Sequence, residues 1–220
     1  MNNASLINQT SGTFEYYTPF DWVEPAREVL GYIDLDPASS LIANETVKAQ
    51  RFFDMATDGL KQRWDADTIF MNHPFHRGEK ACPSDRSKCR KKNCIPSRSK
   101  KKKTRGHHID YDIPSNHDWI NKFISEFEAG HFKSGICITF ANTSETWFRK
   151  LLKYPQCFPE GRVHYRKPDG TVNKNVTKGS VLTYLGPDVA RFYEVFSRYG
   201  DVKVAYDPTH STSFPESRTR

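Results

Sequence analysis

Long apolar runs are missing from this sequence. No stretch approaches the roughly 20 consecutive apolar residues that a helix needs to cross a bilayer, which excludes a helical membrane span. The opening residues, MNNASLINQTSGTFEYY, carry neither a basic stretch nor an apolar segment, so we expect no secretory signal and a soluble, cytoplasmic protein. Cysteine is sparse as well: five, at positions 82, 89, 94, 137 and 157, is an odd and small number. In a reducing compartment that count excludes a disulfide framework. Acids are absent from one segment, for residues 86–105 hold eleven Lys or Arg and no Asp or Glu. Outside it the chain has 22 Lys and Arg against 26 Asp and Glu, so the net charge of +7 originates locally. Such a segment is either a solvated charge run or a phosphate-binding surface that gains affinity by releasing counterions.

What is present is enough for one domain with one core: 220 residues, 36% hydrophobic and 13% aromatic. Residues 1–13 read as a disordered polar lead, 14–207 as the folded domain, and 208–220 as a flexible tail. Residues 21–30 (DWVEPAREVL) have the spacing of an amphipathic helix that Gly31 stops, and residues 32–36 (YIDLD) read as a buried strand. A second helix is expected over residues 44–53 and a short apolar strand over 68–71 (TIFM). Residues 76–113 lose all periodicity and read as a basic, Cys-rich insert. Patterning resumes at Asp118, with Trp119, Ile120, Phe123, Ile124 and Phe127 on one helical face and Gly130 near its end. Strands over 134–140, 163–166 and 180–185, with helices over 144–152 and 188–199, complete the expectation. Alternating strands and helices predict an α/β fold with a mostly parallel central sheet.

Two expected strand ends carry unusual residues, and ligands of open α/β sheets sit beyond carboxyl strand ends. After the first strand comes Asp34-Leu35-Asp36-Pro37-Ala38-Ser39. A carboxylate there can accept hydrogen bonds from hydroxyls or an ammonium, and small residues let a ligand approach the backbone; read alone, Asp before Pro is equally a turn signal. After the second comes Asn72-His73-Pro74-Phe75. An amide oxygen and the next carbonyl can together orient an exocyclic amine, and an aromatic ring can stack on an extruded base; read alone, Asn-x-Pro is a turn and Phe75 is core.

Taken in order, these pieces resemble the bacteriophage family of DNA N6-adenine methyltransferases, a branch of the amino-methyltransferases. Its Thr-Pro opening is matched by Tyr17-Thr18-Pro19, and its Leu-Asp-x-x-Ala segment and downstream Asn by Leu35-Asp36-Pro37-Ala38 and Asn44. Its Gly-Leu-x-x-x-Trp stretch is matched from Gly59 to Trp64, its Thr-x-x-x-Trp-Phe segment from Thr143 to Phe148, and its Gly-Arg turn by Gly161-Arg162. The resemblance spans roughly residues 14–203 and implies a Rossmann-like, S-adenosylmethionine-dependent methyltransferase fold. It further implies cofactor contacts from Tyr17, Thr18, Pro19, Asp34, Asp36, Ala38 and Asn72, and a catalytic set of Asn72, His73, Pro74 and Phe75. DNA would be the partner and adenine N6 the target, with cytosine N4, RNA, or a catalytically degenerate nucleic-acid-binding scaffold as alternatives. One residue departs from the family: proline occupies the second position of its tetrapeptide, and His73 stands there here. That is either a tolerated change or one that alters chemistry.

Three cysteines in the insert, Cys82, Cys89 and Cys94, precede Arg105-Gly106-His107-His108. Three thiolates and one imidazole suit a tetrahedral structural zinc site, with His107 or His108 (His76 is a further option) as fourth ligand; unligated surface thiols are the alternative. Phosphate contacts are expected from Arg90, Lys91, Lys92, Lys100, Lys101, Lys102, Lys103 and Arg105. Cys137 and Cys157 lie in apolar surroundings and read as core.

Overall fold

The structure, a computed structural model, describes residues 16–85, 88–90, 109–167, 169–174 and 176–205. In chain order these form α1 (Phe20–Leu30), β1 (Leu35–Asp36), α2 (Leu41–Val47), β2 (Arg51–Phe52), β3 (Ala66–Met71) and β4 (Arg77–Glu79). There follow β5 (Ile113–Ser115), α3 (Asn116–Glu128), β6 (Phe132–Phe140), α4 (Thr146–Arg149), β7 (Gln156–Pro159), β8 (Ser180–Leu185), α5 (Val189–Phe196) and β9 (Gly200–Lys203). Seven strands make one sheet in the order β2-β1-β3-β6-β8-β7-β9. The pairings among β2, β1, β3 and β6 are parallel, whereas β8 and β9 run against their neighbours. Five of the seven strands therefore point one way, as the alternating pattern predicts.

Side-chain alternation explains why the sheet is covered on both faces. Along β3, Ile69 and Met71 join a core with Trp64, Trp119, Phe123 and Phe148, beneath α3 and α4. Phe70 points the other way, into a core with Val23, Leu30, Phe192 and Phe196 from α1 and α5. The unbroken apolar run of β3 is what a strand buried on both faces requires. Gly31 takes φ 78° and stops α1, a conformation that costs a residue with a Cβ. A capping box of Ser115 and Asp118 starts α3.

Three expected elements differ. The helix over 44–53 is instead α2 followed by β2. The Asn44 side chain accepts from Ala49 N–H at 2.8 Å and donates to Ala49 O at 3.1 Å, while Lys48 turns left-handed (φ 50°). Those bonds close the helix early and release Arg51 and Phe52 to pair with β1. The helix over 144–152 shrinks to the four residues of α4, anchored by buried Trp147 and Phe148. Residues 163–166 form no ladder; Arg166 makes only isolated bridges to Tyr17 and Val172. Cys137 and Cys157 are fully buried, and burial pushes both thiols up to about 12.

Candidate functional site

From β1 the chain moves outward to β2, then returns to the other side of β1 to form β3. Strand order reverses there, and in open α/β sheets that reversal opens a crevice beyond the carboxyl strand ends. Both motif loops leave from it: Asp36-Pro37-Ala38 from β1, and Asn72-His73-Pro74-Phe75 from the adjacent β3.

Asp36 is 2% exposed, and the Ala38 N–H donates to it at 3.1 Å. Burial dominates and raises its carboxyl from 3.8 to about 7. No cation pairs with it among the described residues. Tight backbone packing holds the loop: a Cβ on Gly59 would sit 1.9 Å from Pro37 O, and Gly59 O accepts from the buried Trp64 indole at 2.8 Å. That contact gives the Gly59-to-Trp64 stretch a physical role, which is to prop the Asp36 loop.

The residues preceding α1 roof the crevice. Asn72 Nδ2 donates to Tyr16 O at 2.8 Å. A carbonyl can only accept, so this bond fixes the amide orientation and leaves Oδ1 as an acceptor. Tyr17 exchanges backbone hydrogen bonds with Arg166 at 2.7 and 2.9 Å, and its hydroxyl accepts from Ser40 at 3.4 Å. Thr18 is buried, and Pro19 precedes the first residue of α1.

His73 is a core residue. It is 1% exposed, stacks on Trp119 (6.2 Å, 27°) and meets Phe75 edge-on (5.3 Å). Its Nε2 lies 3.1 Å from Asn116 Oδ1, which places the ring proton on Nε2. Burial lowers its pKa to about 4, against the pull of the Asn116 bond. Asn116 N–H also donates to His76 O at 2.7 Å. The loop after β3 is thereby tied to the start of α3. Pro74 is exposed, and Phe75 lies against Phe140 (4.3 Å) and Tyr165 (6.0 Å), building an aromatic wall beside Asn72.

Buried polar atoms normally have partners, yet Thr18 Oγ1, Ser39 Oγ, His73 Nδ1 and Thr139 Oγ1 meet no hydrogen-bond geometry among the described residues, Ser39 Oγ having only a loose approach to the Asp36 carboxyl. All four belong to segments at this one sheet edge: the roof, the β1 loop, the β3 loop and the end of β6. Thr139, Phe140, Tyr165 and the Tyr16 carbonyl were not singled out from sequence. Phe140 ends an expected strand, and that position is the signal that could have marked it.

Asp34 is not brought into the crevice. Its carboxylate accepts from Arg51 (3.2 and 3.1 Å) and from Asp67 N–H (2.9 Å), level with the beginning of β3 and toward the opposite edge. In the insert, antiparallel β4 and β5 form a stem. Cys82 and Cys89 are both buried in a small cluster with Ile109, whose N–H donates to Cys82 Sγ at 3.4 Å. Cys94, His107, His108, Lys91, Lys92, Lys100, Lys101, Lys102, Lys103 and Arg105 lie outside the described residues. Arg90 is described and exposed. Among the described residues no group of three His, Cys, Asp or Glu is arranged to hold a metal, and no helix is long and apolar enough to cross a membrane.

No family model matches the chain, and no characterised protein or solved structure is significantly similar to it.

Proposed function

We propose that this protein is an S-adenosylmethionine-dependent DNA methyltransferase with a Rossmann-like fold, acting on the exocyclic amine of a base, adenine N6. One observation carries the reading. The Asp36 and Asn72 loops leave the carboxyl ends of adjacent strands where strand order reverses, and four buried polar atoms without hydrogen-bond partners among the described residues belong to the segments that meet there.

The residues fit the group that the reading requires. Asp36, buried and without a cation, suits a ligand bringing hydroxyls or an ammonium, and the Thr18 and Ser39 hydroxyls add donors or acceptors. S-adenosylmethionine, when bound, supplies a methyl group on an electrophilic sulfonium. Asn72 Oδ1, held outward by the bond to Tyr16 O, accepts one hydrogen of the target amine, and the carbonyl of His73 accepts the other. Two acceptors orient the amine so that its lone pair faces the cofactor side, and alignment in a desolvated site lowers the barrier. Phe75 and Phe140 give an extruded base a stacking surface.

The insert fits a second, structural group. Buried Cys82 and Cys89 with an N–H···S bond are soft ligands already gathered, and Cys94 with His107 or His108 would complete a Cys3His zinc site. We further propose that the Lys-rich part of the insert grips DNA phosphates.

The test is transfer of labelled methyl from S-adenosylmethionine to unmethylated DNA. Asn72→Ala should lower transfer at least ~100-fold, because one positioned polar contact at a reacting centre is worth a few kcal/mol. Cofactor binding should survive in that variant; equal losses of both would remove Asn72 from the chemistry.

A further inference from the structure

A second concentration of positive charge lies on the site itself. Residues 161–179 hold Arg162, Arg166, Lys167, Lys174 and Lys178 against one acid, Asp169. That acid is occupied locally, accepting from Thr171 N–H (2.9 Å) and the Thr171 hydroxyl (2.6 Å), with Lys167 adding a weaker pull. Elsewhere many cations are matched: Arg27, Arg51, Lys122, Lys153, Arg191 and Arg198 each hold a carboxylate partner, and the unmatched ones, such as Lys48, Arg77, Arg149 and Lys203, are scattered along the chain. Among the described residues, none of the five cations in 161–179 forms an ion pair.

Its position is fixed by contacts. Tyr165 packs on Phe75, and its hydroxyl lies 3.0 Å from Ser180 Oγ. Arg166 bridges to Tyr17 in the crevice roof. Ala141 N–H donates to Gly179 O at 2.9 Å, joining the segment to the end of β6. Lys178 Nζ lies 5.1 Å from the centroid of the Phe140 ring, which packs tilted against Phe75. Arg162 rests on Gly179, with its Nη1 only 3.1 Å from where a Cβ would stand. Lys178 thus borders the aromatic wall beside Asn72, and Arg162 lies next to it in the fold, against Gly179, the residue that follows Lys178.

We propose that residues 161–179 form a phosphate clamp for DNA, with Arg162 and Lys178 holding the backbone next to the nucleotide whose base stacks on Phe75 and Phe140. This rests on the DNA reading of the site and adds a grip separate from the insert. A base taken out of its stack is held in place only if its flanking phosphates are, and unpaired cations beside an aromatic ring suit that task.

The experiment measures binding of a short fluorescent DNA duplex without methyl donor, from about 50 to about 200 mM KCl. Arg162→Ser/Lys178→Ser should flatten the slope of log affinity against log salt by roughly one to two, since each phosphate contact contributes about 0.9. Arg162→Lys/Lys178→Arg should restore it. The matched control Arg63→Ser/Lys133→Ser removes the same charge at the opposite sheet edge, where those cations pair with Asp65 and Asp67, and should leave the slope unchanged. An unchanged slope in the clamp variant, or an equal loss in the control, overturns the proposal. So does a wild type that binds duplex RNA but not DNA. A flattened slope in a protein whose wild type transfers no methyl overturns the enzyme reading and leaves the clamp standing.

Discussion

If Asp36 receives hydroxyls or an ammonium from the cofactor, ligand affinity must depend on pH through its carboxyl. Burial raises that carboxyl from 3.8 to about 7, so before ligand is added it is protonated in mildly acidic solution. Keeping it ionised there costs roughly 4 kcal/mol relative to water. Ligand donors favour the ionised form, so binding below pH 7 must expel a proton. Affinity for S-adenosylhomocysteine should climb up to about tenfold per pH unit toward pH 7 and level off above it. Calorimetry in two buffers of different ionisation enthalpy should find about one proton released at pH 6 and none at pH 8.5. Asp36→Asn should bind weakly at every pH and release none. The empty protein obeys the same linkage with its own sign. A raised carboxyl contributes stability that is complete below about pH 4 and lost as pH rises through about 7, so Asp36→Asn should melt higher than wild type at pH 8. Affinity independent of pH between 5.5 and 8, with no proton exchange, would refute this reasoning.

The remaining predictions concern the supports of the site. Gly59→Ala drives a Cβ against Pro37 O, so it should cost about 1–3 kcal/mol and lower the melting temperature by several degrees. Cofactor affinity should fall with it, and an unchanged affinity would separate that contact from the Asp36 loop. His73→Pro removes the Asn116 bond and the stack on Trp119, so thermal melting should fall by about 1–3 kcal/mol in stability while methyl transfer persists. His73 has its pKa lowered to about 4, so it contributes stability that is present above about pH 6.5 and lost as pH falls through 4. The variant should lack that acid-side loss when melting is followed against pH. Purified protein never exposed to chelator should contain about one zinc per chain by mass spectrometry, and Cys82→Ser should abolish it; a metal-free preparation would sink the zinc assignment.

Much of this architecture is legible in the sequence where local chemistry agrees with tertiary need. Thr68 to Met71 reads as a buried strand because both of its faces are covered, and Gly31 reads as a stop because a left-handed residue is required there. Elements fixed by partners distant in sequence are hidden. Arg51 and Phe52 become a strand through pairing with Leu35 and Asp36, and Gln156–Pro159 through pairing with β8 and β9. Neither segment carries a periodic signal of its own. The site divides in the same way. Asp36 and Asn72 stand out because charge and amide groups are unusual at strand ends. Asp34, the same residue type two positions earlier, has its carboxylate drawn by Arg51, a partner that alternation alone does not reveal. The Tyr16 carbonyl is a backbone group, and Thr139 is an ordinary strand residue until its hydroxyl is found buried without a partner. The cations of 161–179 escape notice because the segment reads as ordinary surface charge until the fold packs Tyr165 on Phe75 and Lys178 on Phe140.

The central claim concerns which atom receives a methyl group. Unmethylated DNA should be incubated with the protein and S-adenosylmethionine, digested to nucleosides, and analysed by mass spectrometry with chromatographic standards. The account predicts N6-methyldeoxyadenosine that accumulates with time and falls at least ~100-fold with Asn72→Ala. DNA that is bound by the wild-type protein and yields no methylated nucleoside of any kind would contradict it.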